Sequence, residues 1–269
     1  FVHAGIPFAL DLNTTSPALS DLRVRRAIVH AADAPGIVRS AYAGVFPYEG
    51  NAISTGTPAY DPAFHEPYPH DAERAAELLD AAGWTGRDAE GYRTRGGERL
   101  TLRFPYNSDP GETPPADLTI YQNFQAMLKR VGVEVQLIPS DAATMTAVRN
   151  DPTAYDVQGR YWNSPSPNVM YIKFSQETLE LGNGQNVSFA YDEELDRTLL
   201  AAAATTDPQE QQRLYSEAQR LLTAQAWHIP LYPIQTRLAL RTDQVRDVWI
   251  EPSEGEPVLH DAYLVREGI

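Results

Sequence analysis

Apolar residues recur at helical spacing in several stretches, and most of these open on an acidic residue. Asp71 precedes a segment in which Ala75, Leu78, Leu79 and Ala82 share one face, with Gly83 as the stop. Asp117 opens a stretch with Ile120, Phe124, Leu128 and Val131 aligned, ended by Gly132. Asp192 leads into Leu195, Leu199 and Leu200. Asp207-Pro208 places a capping side chain before a first-turn proline, and Leu214, Ala218, Leu221 and Leu222 then point inward. Residues 21–32 carry a helical pattern as well, and a short helix is expected from Pro35 to Tyr42, closed by Gly44.

Strand patterns fall between these helices. Residues 100–106 and 133–138 alternate apolar and polar, and 155–162 make a third strand. Gly96-Gly97 reads as a hairpin turn between 91–95 and 100–106. Residues 228–240 are extended but broken by Pro230 and Pro233, which suits an edge or a crossing. The order strand, helix, strand over 100–106, 117–131 and 133–138 is a βαβ unit, so the fold class is α/β. Residues 46–70, 107–116 and 175–186 are rich in turn formers and read as loops.

At 269 residues the chain is long enough to bury a core without staples. Its net charge of -14 would repel a nucleic-acid backbone or an anionic lipid surface. The two densest basic groups, Arg23 with Arg25 and Arg26, and Arg93 with Arg95 and Arg99, are short. The absence of cysteine removes disulfides, thiolate metal sites and cysteine nucleophiles. No apolar run reaches the ~18 residues of a membrane helix, and the first twelve residues do not read as a signal peptide.

Screens for chemistry return little. Neither lysine, Lys129 or Lys173, sits in a phosphate-binding loop, and no Gly-x-Ser-x-Gly elbow occurs. Residues 182–187 (GNGQNV) begin like a dinucleotide loop but lack the third glycine and a leading strand. His65 and His70 lie near Glu66 and Asp71, but Pro67 and Pro69 prevent a helix from aligning them on a metal. No catalytic residue, metal or cofactor is therefore assigned. One segment stands apart. Tyr161, Trp162, Asn163, Ser164, Pro165, Ser166, Pro167 and Asn168 follow the 155–162 strand, where aromatic faces, stiffening prolines and polar tips suit a ligand site. A proline-rich turn with Trp162 in the core fits the same residues.

The order of motifs resembles the bacterial family 5 extracellular solute-binding proteins, the oligopeptide-, dipeptide- and nickel-binding receptors of ABC importers. Asn13, Asp21, Arg23, Val24, Arg25 and Ala27 match the start of that family's C-terminal lobe. The stretches 68–84, 91–97, 128–137, 155–162, 191–202 and 207–232 follow in the same order. The resemblance spans about residues 8–240. It implies the C-terminal lobe of a type II periplasmic-binding-protein fold, with a mixed sheet flanked by helices. It implies a ligand-binding lobe over 14–227, with 1–13 and 228–269 as hinge strands and a tail toward an N-terminal lobe not represented here. The implied partners are a small-molecule or peptide ligand, that N-terminal lobe and a membrane permease. The implied location is extracytoplasmic, the chain being anchored through an N-terminal segment. The implied activity is capture rather than catalysis. Two other classes are open: a ligand-sensing module of the same fold in a transcriptional regulator, and a hydrolase with an unrecognised site.

The family pattern also implies positions. Trp162 matches the tryptophan that ends the family's cleft strand, and Asn186, before an expected strand at 187–189, matches an asparagine-rich stretch beside the cleft. Ligand-binding residues are thus expected at Trp162, Asn163, Ser164, Ser166, Asn168, Tyr161 and Asn186. Peptide binders carry an aspartate shortly after the tryptophan, which pairs with the peptide ammonium. Here residues 163–168 are all uncharged. Arg160 stands two residues before the tryptophan, where some peptide binders have an arginine three before, so the opposite strand face is implied.

Overall fold

A computed structural model describes residues 2–251 and 256–265. Its centre is a strand, β1 (Gly5–Leu12), buried at every position. The sequence GIPFALDL is apolar nearly throughout because both faces of this strand are covered. After it come α1 (Leu22–Ala31), α2 (Ala34–Tyr42) and α3 (Ala72–Ala81). A small hairpin sheet of β2 (Gly86–Arg87), β3 (Arg93–Arg95) and β4 (Glu98–Arg99) precedes β5 (Thr101–Asn107). Then follow α4 (Pro115–Arg130), β6 (Glu134–Ser140), α5 (Ala142–Arg149) and β7 (Val157–Asn163). Four helices, α6 (Val169–Phe174), α7 (Gln176–Leu181), α8 (Glu193–Ala204) and α9 (Pro208–Gln225), lead to β8 (His228–Tyr232). Short paired strands, β9 (Val245–Arg246), β10 (Trp249–Ile250), β11 (Pro257–Val258) and β12 (Tyr263–Leu264), complete the described chain.

The main sheet has the order β7-β1-β8, with β1 antiparallel to both neighbours. Residues 5–12, within the stretch 1–13 expected as a hinge strand, are its middle strand. β5 and β6 pair in parallel across α4, which is the expected βαβ unit. β5 meets the start of β7 where Asp156 N donates to Arg103 O (2.9 Å) and Arg103 N donates to Asp156 Oδ2 (2.7 Å). One apolar cluster gathers Phe8, Leu10 and Leu12 with the inner faces of α1 to α4. The other gathers Ile6 with Met170, Phe174, Leu195, Leu199, Leu222 and Trp227. The antiparallel sheet is covered on both sides, and together with the parallel β5-β6 pair it gives the helix-flanked α/β architecture expected.

Several caps act where the pattern put them. Asp71, Asp192 and Asp207 accept from Arg74 N, Leu195 N and Gln209 N. Some expectations fail. Asp117 does not open its helix: α4 begins at Pro115 after Pro114, leaving Asp117 in the first turn. Leu200 is half exposed, because α8 packs through Leu195, Leu199 and Ala202. The arm paired with β3 is Glu98–Arg99, not the strand that begins at 101. Residues 187–189 are not a strand, and residues 176–181, expected as loop, form α7. Within 228–240 only His228–Tyr232 is strand, an edge strand, and Gln235 adds a bridge to Val2. Of the expected hinge strands and tail, residues 1, 252–255 and 266–269 lie outside the described residues.

Both basic clusters are engaged within the fold. Arg25 donates to Leu19 O (2.8 Å) and Arg26 to Ala224 O (2.9 Å). Arg93 donates to Val131 O (2.8 Å), Arg95 lies over the Trp84 ring, and Arg99 pairs with Asp88 (2.6 Å). Among the described residues no helix is long and apolar enough to cross a membrane.

Candidate functional site

The carboxyl ends of β5 and β7 open into a cleft of about 990 Å³, in the position where open α/β sheets receive ligands. Its walls come from six elements. β7 gives Gly159 to Asn163, and β5 and its loop give Tyr106, Asn107 and Glu112. α4 contributes Asp117 and Tyr121, α5 contributes Met145, Thr146 and Arg149, and α2 and β8 contribute Tyr42 and Tyr232.

Gly5 sets the register at the cleft end of β7. It pairs with Asn163, has φ +121°, and a Cβ there would lie 2.0 Å from Trp162 O. Only glycine allows so close an approach to the Trp162 backbone. The indole of Trp162 is half-buried: it packs against the second apolar cluster and also lines the cleft. It is therefore neither sealed in the core nor free in solvent. Tyr161 is exposed and lines the cleft from the same strand, as does Asn163.

The other expected ligand residues sit elsewhere. Ser164, Ser166 and Asn168 form the turn into α6, where Ser166 N donates to Ser164 Oγ (3.3 Å) and Asn168 N to Ser166 Oγ (3.2 Å). They do not line the cleft. Asn186 is buried, and its amide is taken by Ala190: Nδ2 donates to Ala190 O (2.7 Å) and Oδ1 accepts from Ala190 N (3.2 Å). His65 contacts Glu49 (3.2 Å) and Tyr60 (2.9 Å), while His70 contacts His30 O (3.0 Å). Among the described residues no group of three His, Cys, Asp or Glu side chains is placed to hold a metal ion.

Two arginines line the cleft without a carboxylate partner among the described residues. Arg160 of β7 donates to Gly184 O (3.1 Å), and Arg149 ends α5 beside the same glycine. A Cβ at Gly184 would fall 2.6 Å from Arg149 Cδ, so the Gly-Asn-Gly turn serves to support these side chains. Burial, and then the Arg149 charge, hold the Arg160 guanidinium below the usual arginine range, with Asp11 acting the other way. Gly159 occupies the other face of the strand, against Phe8 and Tyr121, and leaves no side chain there. Arg160 alternates with Gly159 along β7 and so lies on the opposite strand face, yet it still borders the cleft.

Sequence reading missed Arg149, Asp117, Tyr42 and Tyr232. They lie on four separate elements, and none carries a local signal beyond helix or strand pattern. Asp117 accepts hydrogen bonds on Oδ1 from Tyr42 (2.7 Å) and Tyr232 (2.6 Å). Burial pushes its carboxyl above the usual range, against these two bonds. The same burial pushes the Tyr42 and Tyr232 hydroxyls well above the usual phenol range.

Sheets flanked by helices, with a cleft at the strand ends lined by charged side chains, make up a fold of the periplasmic-binding-protein kind. Residues 2–180 match the model of the bacterial extracellular solute-binding proteins, family 5, middle region, and the chain belongs to that family. The glutathione-binding protein GsiB of Salmonella typhimurium is 25% identical over 260 residues, covering 91% of this chain and 46% of the relative. Two solved structures share the fold. The oligopeptide-binding protein AppA of Bacillus subtilis, in complex with a nonapeptide, matches with a TM-score of 0.79 at 17% identity, over 98% of this chain and 51% of that one. NikA of Brucella suis, in complex with Fe(III)-EDTA, matches with a TM-score of 0.72 at 23% identity, over 87% and 47%. The chain spans about half the length of the curated relatives it matches.

Proposed function

We propose that this chain is one jaw of the substrate-binding component of an ABC importer. It captures a peptide-like or other small solute outside the cytoplasm and passes it to a membrane permease. Residues 14–227 form the ligand-binding lobe. Residues 1–13 and 228–269 connect it to a second lobe, through which the receptor is anchored. The cleft carries the reading: about 990 Å³ of space is walled here by Trp162, Tyr161 and Asn163, with Arg149 and Arg160 unpaired beside them. An unpaired arginine pair suits a carboxylate of the kind that peptides carry. The bend residues Ser164, Ser166 and Asn168 act from behind the cleft, by fixing the end of β7. Asn186 plays a like part through its bonds to Ala190.

The work done is mechanical. A ligand bridging two lobes closes the hinge only as far as it contacts both better when they are shut. The permease then recognises the closed form. No bond in the ligand needs to break, and no cofactor is required.

The test is to identify, by mass spectrometry, the small molecule that co-purifies with the protein, and then to follow its uptake by cells. Arg149→Glu with Arg160→Glu should abolish both retention and uptake. Conversion of the bound molecule into a product by the purified protein would overturn the reading in favour of a hydrolase. Ligand-dependent binding to DNA would overturn it in favour of a regulator.

A further inference from the structure

The cleft also holds a carboxylate that nothing in the described chain neutralises. Asp117 is 6% exposed and lines the cleft from the first turn of α4. Its charge is met only by two phenols, Tyr42 and Tyr232, both on Oδ1. The hydroxyls of Tyr42 and Tyr232 are themselves 3.1 Å apart. Each phenol has one hydrogen, so the two together donate twice, and Asp117 takes both. Among the described residues Oδ2 accepts no hydrogen bond, and no lysine, arginine or histidine pairs with this carboxylate. A buried carboxylate with two neutral donors and no cation is an incomplete arrangement.

Around it stand aromatic rings. Tyr42 and Phe46 have centroids 4.5 Å apart, Tyr42 and Tyr232 4.8 Å, Phe46 and Tyr232 5.3 Å, and Phe8 and Tyr232 5.1 Å. Tyr121 lies one helical turn beyond Asp117. All five rings line the same cleft. One cation already uses this wall: the Arg237 guanidinium sits 5.6 Å from the Phe46 centroid. Aromatic faces beside a carboxylate are the surroundings that an organic ammonium group prefers, since the ring quadrupoles attract a cation while shielding it from water. A metal ion needs several anionic or imidazole ligands, and one carboxylate does not supply them.

We propose that Asp117, walled by Tyr42, Phe46 and Tyr232, is the subsite for an ammonium group of the ligand. The inference rests on the reading of the cleft as the ligand site. It supplies, from α4, the counter-charge that the uncharged residues 163–168 after Trp162 do not. The same cleft carries Arg149 and Arg160, so a ligand that reaches both places bears both charges.

The experiment compares trialanine with N-acetyl-trialanine, which differ in the ammonium charge. Binding to the purified protein is followed by nuclear magnetic resonance through the Trp162 indole and the Tyr161–Asn163 amides. Trialanine should bind about tenfold more tightly or better. Asp117→Asn, which keeps an acceptor for both phenols, should erase that preference. Phe46→Leu, at the half-buried rim, should reduce it several-fold and serves if Asp117→Asn fails to fold. Equal binding of the two peptides by the unaltered protein, both shifting the β7 signals, would leave the cleft as the ligand site and overturn the ammonium subsite. A preference that survives Asp117→Asn would overturn it too. No response of the β7 signals to either peptide at millimolar concentration would remove the cleft reading and the subsite together.

Discussion

Replacing Lys173 by methionine removes the counter-charge of Asp11 and should reveal how the centre of the sheet is held. Asp11 lies on β1 with no exposure, Lys173 on α6 is 5% exposed, and Nζ stands 2.9 Å from Oδ1. At an effective dielectric constant of about 20, charges this close attract by about 6 kcal/mol, but desolvation of each ion costs several kcal/mol, so the intact pair is near break-even. Removing one partner is different, because it leaves a buried charge alone. The survivor can escape by changing its protonation, and that route sets a ceiling. For Asp11 at pH 7, taking up a proton against the ordinary value of 3.8 costs about 4.4 kcal/mol. For Lys173, losing a proton against 10.5 costs about 4.8 kcal/mol. The nearby Arg160 favours an ionised Asp11 and disfavours an ionised Lys173. Lys173→Met should therefore fall below its ceiling, at about 3 kcal/mol, and Asp11→Asn should approach its own.

The two variants carry opposite pH signatures. In Lys173→Met the folded carboxyl titrates well above the unfolded one. Its deficit against the unaltered protein is absent below about pH 4 and grows with rising pH, by about 1.4 kcal/mol per unit until the folded group ionises. In Asp11→Asn the folded ammonium titrates below the unfolded one, so the deficit is present at neutral pH and shrinks toward pH 10. Urea denaturation followed by circular dichroism, at pH 4, 7 and 9, reads both trends as differences from the unaltered protein. The double variant should be less destabilised than either single one. Deficits independent of pH, or a double variant showing the sum of the singles, would refute the ion-pair account.

Three further outcomes are expected. His228, stacked on Phe174 (5.3 Å), has its imidazole pushed down to about 3 by burial and then by the Lys173 charge. Its contribution is full above about pH 6.5 and is lost as pH falls toward 3, so His228→Phe should flatten the acid limb of a stability–pH curve, and an unchanged limb would count against it. Trp162→Ala should weaken binding of the co-purifying solute by about 1–3 kcal/mol with circular dichroism unchanged, whereas equal affinity would make Trp162 a core residue only. Gly5→Ala, at φ +121° and against Trp162 O, should lower stability by at least about 1–3 kcal/mol in a thermal melt, and a neutral result would mean the strand end yields freely.

α1 to α4, α8 and α9 were legible because their determinants are local, whereas α5, α6 and α7 were not read from the pattern. Asp71, Asp192 and Asp207 cap with their own side chains the backbone two or three residues on, and the apolar stripe behind each needs no knowledge of its partner. The βαβ unit was legible for the same reason, since the chain between β5 and β6 is too short and too helical for another crossing. Asp117 shows where this ends. It carries the same acidic-start signal, but Pro114 and Pro115 begin the helix and two tyrosines from α2 and β8, distant in sequence, claim its carboxylate.

The cleft was legible only in part. Trp162, Tyr161 and Asn163 form one aromatic-polar run that can be noticed in a string of letters. Arg160 can be noticed beside the tryptophan, but its place with Arg149 and Asp117 shows only when β7, α5 and α4 are brought together, and when the groups of opposite charge that could have paired with each are found elsewhere. Residue type and local spacing determined α1 to α4, α8 and α9, the βαβ unit and the bend after β7. Strand order β7-β1-β8, and with it the unpaired charges of the cleft, was decided by packing between distant segments, because the burial that leaves a charge alone is a property of the assembled neighbours and not of any stretch of chain.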